Sequence, residues 1–282
     1  MSPGRHWRLR TKLMSLERPL VMGVVNVTPD SFSDGGMFTT SHEAVVYGRR
    51  LIEEGADLLD LGGESTRPGA EPVTAATEVG RVIPVLEGLV ESGVPLSVDT
   101  SKPEVARLAL ASGAEIINDI TAGSDPTIFE LVAGARAGLI LMHMQGNPMT
   151  MQNDPRYEDV VGDIKSFLAD RSLAAQHAGV LPDRIAIDPG IGFGKTLEHN
   201  VELIREIGSL RSLGFPVLIG ASRKKFLRTI TGVENPASRD LASAVVAALA
   251  VERGADILRV HNVSACREAV AVALAIVRGS GG

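Results

Sequence analysis

Eight short runs of the chain are apolar almost without interruption, and amphipathic stretches separate them. The runs are "LVMGVVN" from Leu20, "LLDLGG" from Leu58, "LSVD" from Leu96, "EIIND" from Glu115, "LILMHM" from Leu139, "IAIDPG" from Ile185, "PVLIG" from Pro216 and "ILRVHN" from Ile257. A strand with one wet face alternates apolar and polar residues, whereas a near-continuous apolar run suits a parallel strand covered on both faces. Between the runs, apolar positions recur at helical spacing over about 41–54, 74–92, 103–112, 157–178, 197–213 and 238–253, and again over 264–277. The span 126–136 shows the pattern least clearly. Eight strand-then-helix units in 282 residues predict an α/β fold, a (β/α)8 TIM barrel. A doubly wound open sheet is the alternative, but its glycine-rich dinucleotide fingerprint is missing. No linker or shift of composition divides residues 19–282, which read as a single domain. Residues 1–18 stand apart. They are basic ("RHWRLRTK"), lack the apolar centre of a secretion signal, and read as a poorly ordered, solvated N-terminal extension.

A weak repeat runs through the pattern. "GADLLD" from Gly55, "GAEIIN" from Gly113 and "GADILR" from Gly254 each place a glycine at a helix end, a short turn, and two aliphatic residues opening a strand. The sixth residue of each is polar: Asp60, Asn118 and Arg259. In a barrel, alternate strands contribute side chains to the same interior layer, and the sixth predicted strand supplies Asp188 at a similar depth. Polar groups inside a barrel are costly unless they pair or hold a ligand. Either an internal Asp–Arg pair or a binding site accounts for them.

All eight runs end in polar residues, and barrel enzymes build their sites at that end of the strands. The longest such segment, "NVTPDSFSDGG" from Asn26, is either a long turn or a holder of something. Net charge of −6 offers no broad basic surface for nucleic acid, so an anionic ligand needs a local cluster. Arg67, Arg223, Lys224, Arg259 and His261 could form one, suited to phosphate or pyrophosphate. Asn26, Asp30 and Asp34 offer hard oxygens for Mg²⁺. Asp99, Asn118 and Asp188 could read a flat heterocycle with fused donors and acceptors, because a carboxylate matches a 2-amino group and its neighbouring ring N–H. The single cysteine, Cys266, excludes an internal disulfide framework and reads as a buried apolar residue. No apolar run approaches the roughly 18 residues of a membrane span, and a cytoplasmic protein is expected.

Other patterns lead nowhere. "GIGFGKT" ends like a phosphate loop, but Pro189 stands where the first glycine is required. His143 in "HMQGNPMTMQ" reads as a structural or supporting residue rather than a ligand. "GASRK" lacks the form of a nucleophile elbow.

Taken in order, "MGVVNVTPDSFSDGG", "DLGGESTRPGA", "SVDTSKP", "INDI", "LMHMQGNPMTMQ", "IDPGIGFGKT", "GASRK" and "RVHNV" resemble dihydropteroate synthase, over about residues 19–279. The resemblance implies a homodimeric barrel that joins 6-hydroxymethyl-7,8-dihydropterin pyrophosphate to p-aminobenzoate. It implies that Asp99, Asn118, Asp188 and Lys224 hold the pterin, and that Asn26 ligates Mg²⁺ on the pyrophosphate. Arg67, Arg259 and His261 would hold the anion, while Thr66, Pro68, Phe193, Ser222 and Lys224 would shape the p-aminobenzoate pocket. Asp99, Lys224 and Arg259 are the expected catalytic residues. "NVTPDSFSDGG" then reads as a lid that gains its order from the ligand, and sulfonamides are expected to compete with p-aminobenzoate. Two other readings share parts of the pattern. A methyltetrahydrofolate-dependent methyltransferase domain would resemble the chain at Asp99, Asn118 and Asp188 but would not use the metal loop. A non-catalytic pterin-binding paralogue should show damage in the first or second loop, and both are intact.

Overall fold

The computed structural model describes residues 5–28, 40–67 and 69–278. Two short antiparallel strands open the chain, β1 (His6–Arg8) and β2 (Leu13–Ser15). Eight parallel strands follow: β3 (Leu20–Asn26), β4 (Leu58–Gly62), β5 (Leu96–Asp99), β6 (Ile116–Asp119), β7 (Gly138–Met142), β8 (Ile185–Asp188), β9 (Leu218–Ile219) and β10 (Ile257–Val260). They pair in the order β8-β7-β6-β5-β4-β3-β10-β9. A parallel bridge between Ile187 and Val217 joins the two ends of that row and closes the ring. Helices α1 (Ser41–Glu53), α2 (Ala75–Leu89), α3 (Pro103–Ala111), α4 (Thr127–Ala135) and α5 (Val160–His177) follow β3 to β7 in turn. After β8 come α6 (Leu197–Arg205) and α7 (Ile207–Arg211), after β9 come α8 (Lys225–Thr231) and α9 (Asp240–Glu252), and α10 (Val263–Arg278) follows β10.

The pattern of eight strands and their helices is the expected one, with two local differences. The span expected as one helix over 197–213 breaks at Glu206, whose φ of −102° and ψ of 24° leave the helical range. Helix α8 fills the connection after β9; seven residues are too few to display a helical period.

Side-chain alternation sorts the barrel into layers. Outward residues such as Val21, Leu59, Val98, Ile117, Leu139, Ile187 and Leu258 pack under the helices. Inward residues near the strand beginnings are apolar: Met22, Leu58, Ile116, Ile140, Ala186, Leu218 and Ile257 form one buried cluster. Two residues further along, on the same face, several of the same strands carry Asp60, Asn118, Asp188 and Arg259. The interior therefore changes from apolar to charged within one strand period.

The N-terminal segment differs from the sequence expectation. Residues 6–15 form the β1–β2 hairpin, and its Trp7 and Leu9, 0% and 1% exposed, complete the apolar cluster at the beginning of the barrel. Trp7 Nε1 donates to the Arg184 carbonyl at 3.0 Å. The acid in each "GA(D/E)" repeat holds this segment down. Arg18 pairs with Asp57 at 2.6 Å, Arg5 with Asp256 at 2.6 Å, and Thr11 donates through N–H and hydroxyl to Glu115. Gly55, Gly113 and Gly254 all have φ near +100° (97°, 102° and 98°), a left-handed turn that glycine enters at low cost and that sets each acid at this end. Residues of the segment read as a solvated tail, Arg5, Thr11 and Arg18, are the partners of these acids.

Candidate active site

The strand ends and the loops beyond them surround a cavity of about 610 Å³. Asn26 ends β3, Asp99 ends β5 and Arg259 lies in β10, and all three line it. Thr66 and Arg67 reach it from the β4–α2 loop, and Phe193 from the β8–α6 loop. Ser222 and Lys224, before α8, and His261, after β10, complete the wall. Asn118 is the last residue but one of β6 and Asp188 ends β8, and they are 4% and 6% exposed. Pro68, Asp30 and Asp34 lie outside the described residues, as does most of "NVTPDSFSDGG", so the lid expectation falls there too.

Arg259 ties the charged layer together. Its Nε donates to Asp60 Oδ2 at 2.6 Å and its Nη2 to Asp99 Oδ2 at 3.1 Å. Asn118 Nδ2 donates to the same Asp60 oxygen at 3.1 Å. Asp188 is oriented from its own loop, with Gly190 N–H donating to Oδ1 at 2.7 Å. The internal Asp–Arg pair read from the repeat is therefore present, and it sits beside the carboxylates and amide read as a binding set. Burial dominates the electrostatics. It pushes Asp99 up to about 7 against the pull of Arg259, with Asp60 adding to the rise. It also raises Asp188, against the Gly190 N–H and the charges of Lys224 and Arg259. Burial and the nearby Arg259 bring Lys224 down to about 8.

Around the mouth, Lys224 Nζ lies 3.9 Å from the centroid of the Phe193 ring, a cation–π contact. His261 Nδ1 and Ser222 Oγ are 3.0 Å apart, and the Tyr47 hydroxyl donates to the His261 carbonyl at 3.1 Å. Burial, with Arg223 and Arg259 nearby, lowers His261 to about 3, so its imidazole is neutral at physiological pH. Arg223 lines the cavity with a left-handed φ of 59°. Its guanidinium makes two bonds to Asp240, at 2.7 and 2.9 Å, which also binds Asn262 Nδ2. That pairing neutralises part of the charge expected from the sequence at this point.

The pattern of the pterin binding enzymes matches residues 22–261. The chain belongs to the dihydropteroate synthase family of pterin-binding enzymes. It is 46% identical over 276 residues to the dihydropteroate synthase of Neisseria meningitidis serogroup B, covering 95% of this chain and 97% of that one. A Xanthomonas albilineans dihydropteroate synthase solved with 4-aminobenzoic acid superposes with a TM-score of 0.90 at 49% identity, over 97% of this chain and 98% of that one. A dihydropteroate synthase from the same organism solved with 7,8-dihydropteroate gives 0.85 at 44% identity, over 96% and 98%.

Three residues that sequence reasoning did not single out brace the loop of this dihydropteroate synthase fold that carries Thr66 and Arg67. Lys102 Nζ bonds Glu64 Oε2 at 2.7 Å and Glu78 Oε2 at 2.6 Å, and Glu64 Oε1 accepts from Val73 N–H at 2.8 Å. Glu78 is fully buried. Glu64 and Lys102 stand in the quoted "DLGGESTRPGA" and "SVDTSKP", but Glu78 comes from α2, where its carboxylate looks like any helix-surface charge. "GIGFGKT" is no phosphate loop: Lys195 Nζ donates to the Phe193 carbonyl at 2.8 Å, within the segment itself. Among the described residues, no group of three or more His, Cys, Asp or Glu could hold a metal, and no helix is long and apolar enough to cross a membrane.

Proposed function

We propose that this chain condenses 6-hydroxymethyl-7,8-dihydropterin pyrophosphate with p-aminobenzoate, releasing 7,8-dihydropteroate and pyrophosphate. The observation that carries the reading is the charged layer, in which Arg259 bonds Asp99 and Asp60, Asn118 bonds the same Asp60, and Asp188 feels the Arg259 charge, beside an open cavity with a cationic mouth. Asp188 would receive the 2-amino group and neighbouring N–H of the pterin, with Asn118 and Lys224 on its other polar edges. Arg67, Arg259 and His261 would hold the diphosphate, the neutral imidazole acting as a hydrogen-bond donor rather than as a charge. Thr66, Pro68, Phe193, Ser222 and Lys224 would enclose p-aminobenzoate.

The bond between the pterin methylene carbon and the diphosphate oxygen breaks first, and its electron pair leaves with the oxygen. The methylene cation is stabilised by the pterin ring, and Asp99 faces the charge as it develops. Arg259 would hold both ends of this separation, because one guanidinium touches Asp99 and lines the cavity that the diphosphate would enter. The arylamine nitrogen then forms the C–N bond and loses a proton. No covalent enzyme intermediate is required, in keeping with the absence of a nucleophile motif in the sequence.

The donor set also fits Mg²⁺. Asn26 lines the cavity, and a Cβ added at Gly62 would lie 3.2 Å from Asn26 Oδ1, so glycine keeps space beside that oxygen. One protein oxygen is enough for an ion that takes its other ligands from phosphates and water. When bound, Mg²⁺ supplies charge that stabilises the leaving diphosphate.

We also infer a homodimer in the cytoplasm. Leu241, Val245 and Leu249, 79%, 51% and 43% exposed, form a stripe on α9, and Val272 and Ile276, 60% and 76% exposed, another on α10. Apolar faces of this kind suit a second copy of the chain. Sedimentation equilibrium tests this, with one 29.7 kDa chain as the overturning result. The test of the activity is release of pyrophosphate. It should require p-aminobenzoate, the pterin diphosphate and Mg²⁺ together. Release no faster with p-aminobenzoate than without it, or none with all three, defeats the reading.

A further inference from the structure

Two features from the sequence, Lys195 in "GIGFGKT" and His143 in "HMQGNPMTMQ", have no part in the proposed reaction, and the fold brings them into contact. Lys195 is 3% exposed and makes no ion pair among the described residues. Its Nζ lies 3.1 Å from His143 Nδ1 and 3.5 Å from the His143 carbonyl, and donates to the Phe193 carbonyl at 2.8 Å. Burial brings the Lys195 amine down to about 7 against the pull of Asp188, and these three acceptors use the hydrogens of its charged form. Burial and the Lys195 charge bring His143 down to about 3, so the imidazole is neutral; where the Lys195 amine donates to Nδ1, the ring proton sits on Nε2.

The segment that Lys195 grips is shaped by glycine. Gly190, Gly192 and Gly194 have φ of 70°, 84° and 62°, and a Cβ at Gly190 would lie 1.9 Å from the His143 carbonyl oxygen. The segment thus lies tight against the end of β7. Its other peptides are held from outside: Gln152 Nε2 donates to the Gly192 carbonyl at 2.7 Å, Tyr157 Oη to the Gly194 carbonyl at 2.8 Å, and Gly192 N–H to Asn200 Oδ1 at 2.6 Å. The side-chain bond to the Phe193 carbonyl itself comes from Lys195. The His143 ring is fixed in turn by an edge contact to Phe167, 4.8 Å between centroids.

We propose that Lys195 and His143 are positioning residues whose contact sets the Phe193 wall of the p-aminobenzoate pocket. This rests on the function proposed above. The pterin set keeps its own bonds when these side chains change, because Asp188 is held by backbone donors, Gly190 N–H to Oδ1 and His143 N–H to its carbonyl, and Asn118 is tied to Asp60. Substrates should therefore separate in their response.

Lys195→Met, His143→Phe and His143→Asn, measured beside the wild type, test this. Phenylalanine keeps the ring against Phe167 and removes the acceptor; asparagine returns an oxygen near the Nδ1 position. Lys195→Met and His143→Phe should raise KM for p-aminobenzoate at least about tenfold, with kcat at saturation and affinity for a pterin analogue each within about threefold. His143→Asn should stay within about threefold of wild type in all three measures. A structural role alone would not produce that split or that rescue. KM unchanged in Lys195→Met, pterin affinity falling in parallel, or His143→Asn as damaging as His143→Phe overturns the proposal. Should Lys195→Met not fold, the two His143 variants decide. Wild-type turnover with unaltered variant KM defeats this inference alone, whereas no turnover in the wild type defeats the function and the inference together.

Discussion

The two ends of the barrel are built from the same strands and have opposite interiors. At the beginning of the strands, Trp7 and Leu9 of the hairpin close over Met22, Leu58, Ile116 and Ile257, all buried and apolar. One strand period further, the interior holds Asp60, Asn118, Asp188 and Arg259, and the cavity opens above. The first end is satisfied without a ligand. The second concentrates charge that burial makes costly, as the rise of Asp99 to about 7 and the fall of Lys224 to about 8 show. The difference assigns stability to one end and binding to the other, and each end can be altered separately.

The largest effect is expected at the plugged end. Trp7→Ala removes a fully buried indole and its bond to the Arg184 carbonyl. Unfolding in urea should show a loss of roughly 3–5 kcal/mol, with KM for both substrates unchanged. A stability close to wild type would mean that the hairpin does not close the barrel.

At the open end, Asp188→Asn should leave unfolding nearly unaltered and weaken a pterin analogue about 100-fold by titration calorimetry. An amide of the same shape accepts one bond where the carboxylate accepts two, and it presents a donor to donors. Wild-type affinity would remove Asp188 from the pterin site.

The same contrast governs what the sequence allowed to be read. The open end was legible because polar residues at the ends of apolar runs are conspicuous: Asp60, Asn118 and Arg259 share a place in a repeat, and the arginine does bond the aspartate. The plugged end was not, because its signal is divided between distant segments. Trp7 and Arg5 look like a basic tail until Asp57, Glu115 and Asp256 are seen on one face. Lys195 and His143, 52 residues apart, each looked idle for the same reason. Pairings that depend on two loops meeting leave no periodic trace in either.

A pH series sharpens the comparison, because the open end carries a titrating histidine. His261 has its folded value lowered to about 3 from an ordinary 6.5. The unfolded chain therefore binds its proton first as pH falls. The stability that neutral His261 contributes is complete above 6.5 and is lost progressively toward about 3. Against His261→Asn, wild-type stability should be offset by a constant above that point. Below it, wild type should decline relative to the variant by roughly 1.4 kcal/mol per pH unit, about 2 kcal/mol by pH 5. Parallel curves throughout would show that the imidazole is protonated in the folded protein.

The smallest expected effect lies at the boundary between the ends. Asp60 follows Leu58 of the apolar cluster on the same strand face, is itself fully buried, and belongs to the charged layer. It does not line the cavity, so its influence on a substrate must pass through Arg259 and Asn118, both of which donate to Oδ2. Asp60→Asn keeps the shape and removes the charge. Arg259 then keeps Asp99 as its one carboxylate partner, and Arg259 and Asn118 share an uncharged, weaker acceptor at residue 60. The substitution should cost roughly 1–2 kcal/mol of stability. It should also lower kcat/KM for the pterin diphosphate about tenfold, close to 1.4 kcal/mol in the barrier. Both quantities should move together, unlike Trp7→Ala, which moves only stability, and Asp188→Asn, which moves only binding. If stability falls while kcat/KM is unchanged, Asp60 belongs to the plugged end and the charged layer begins one step higher, at Asp99.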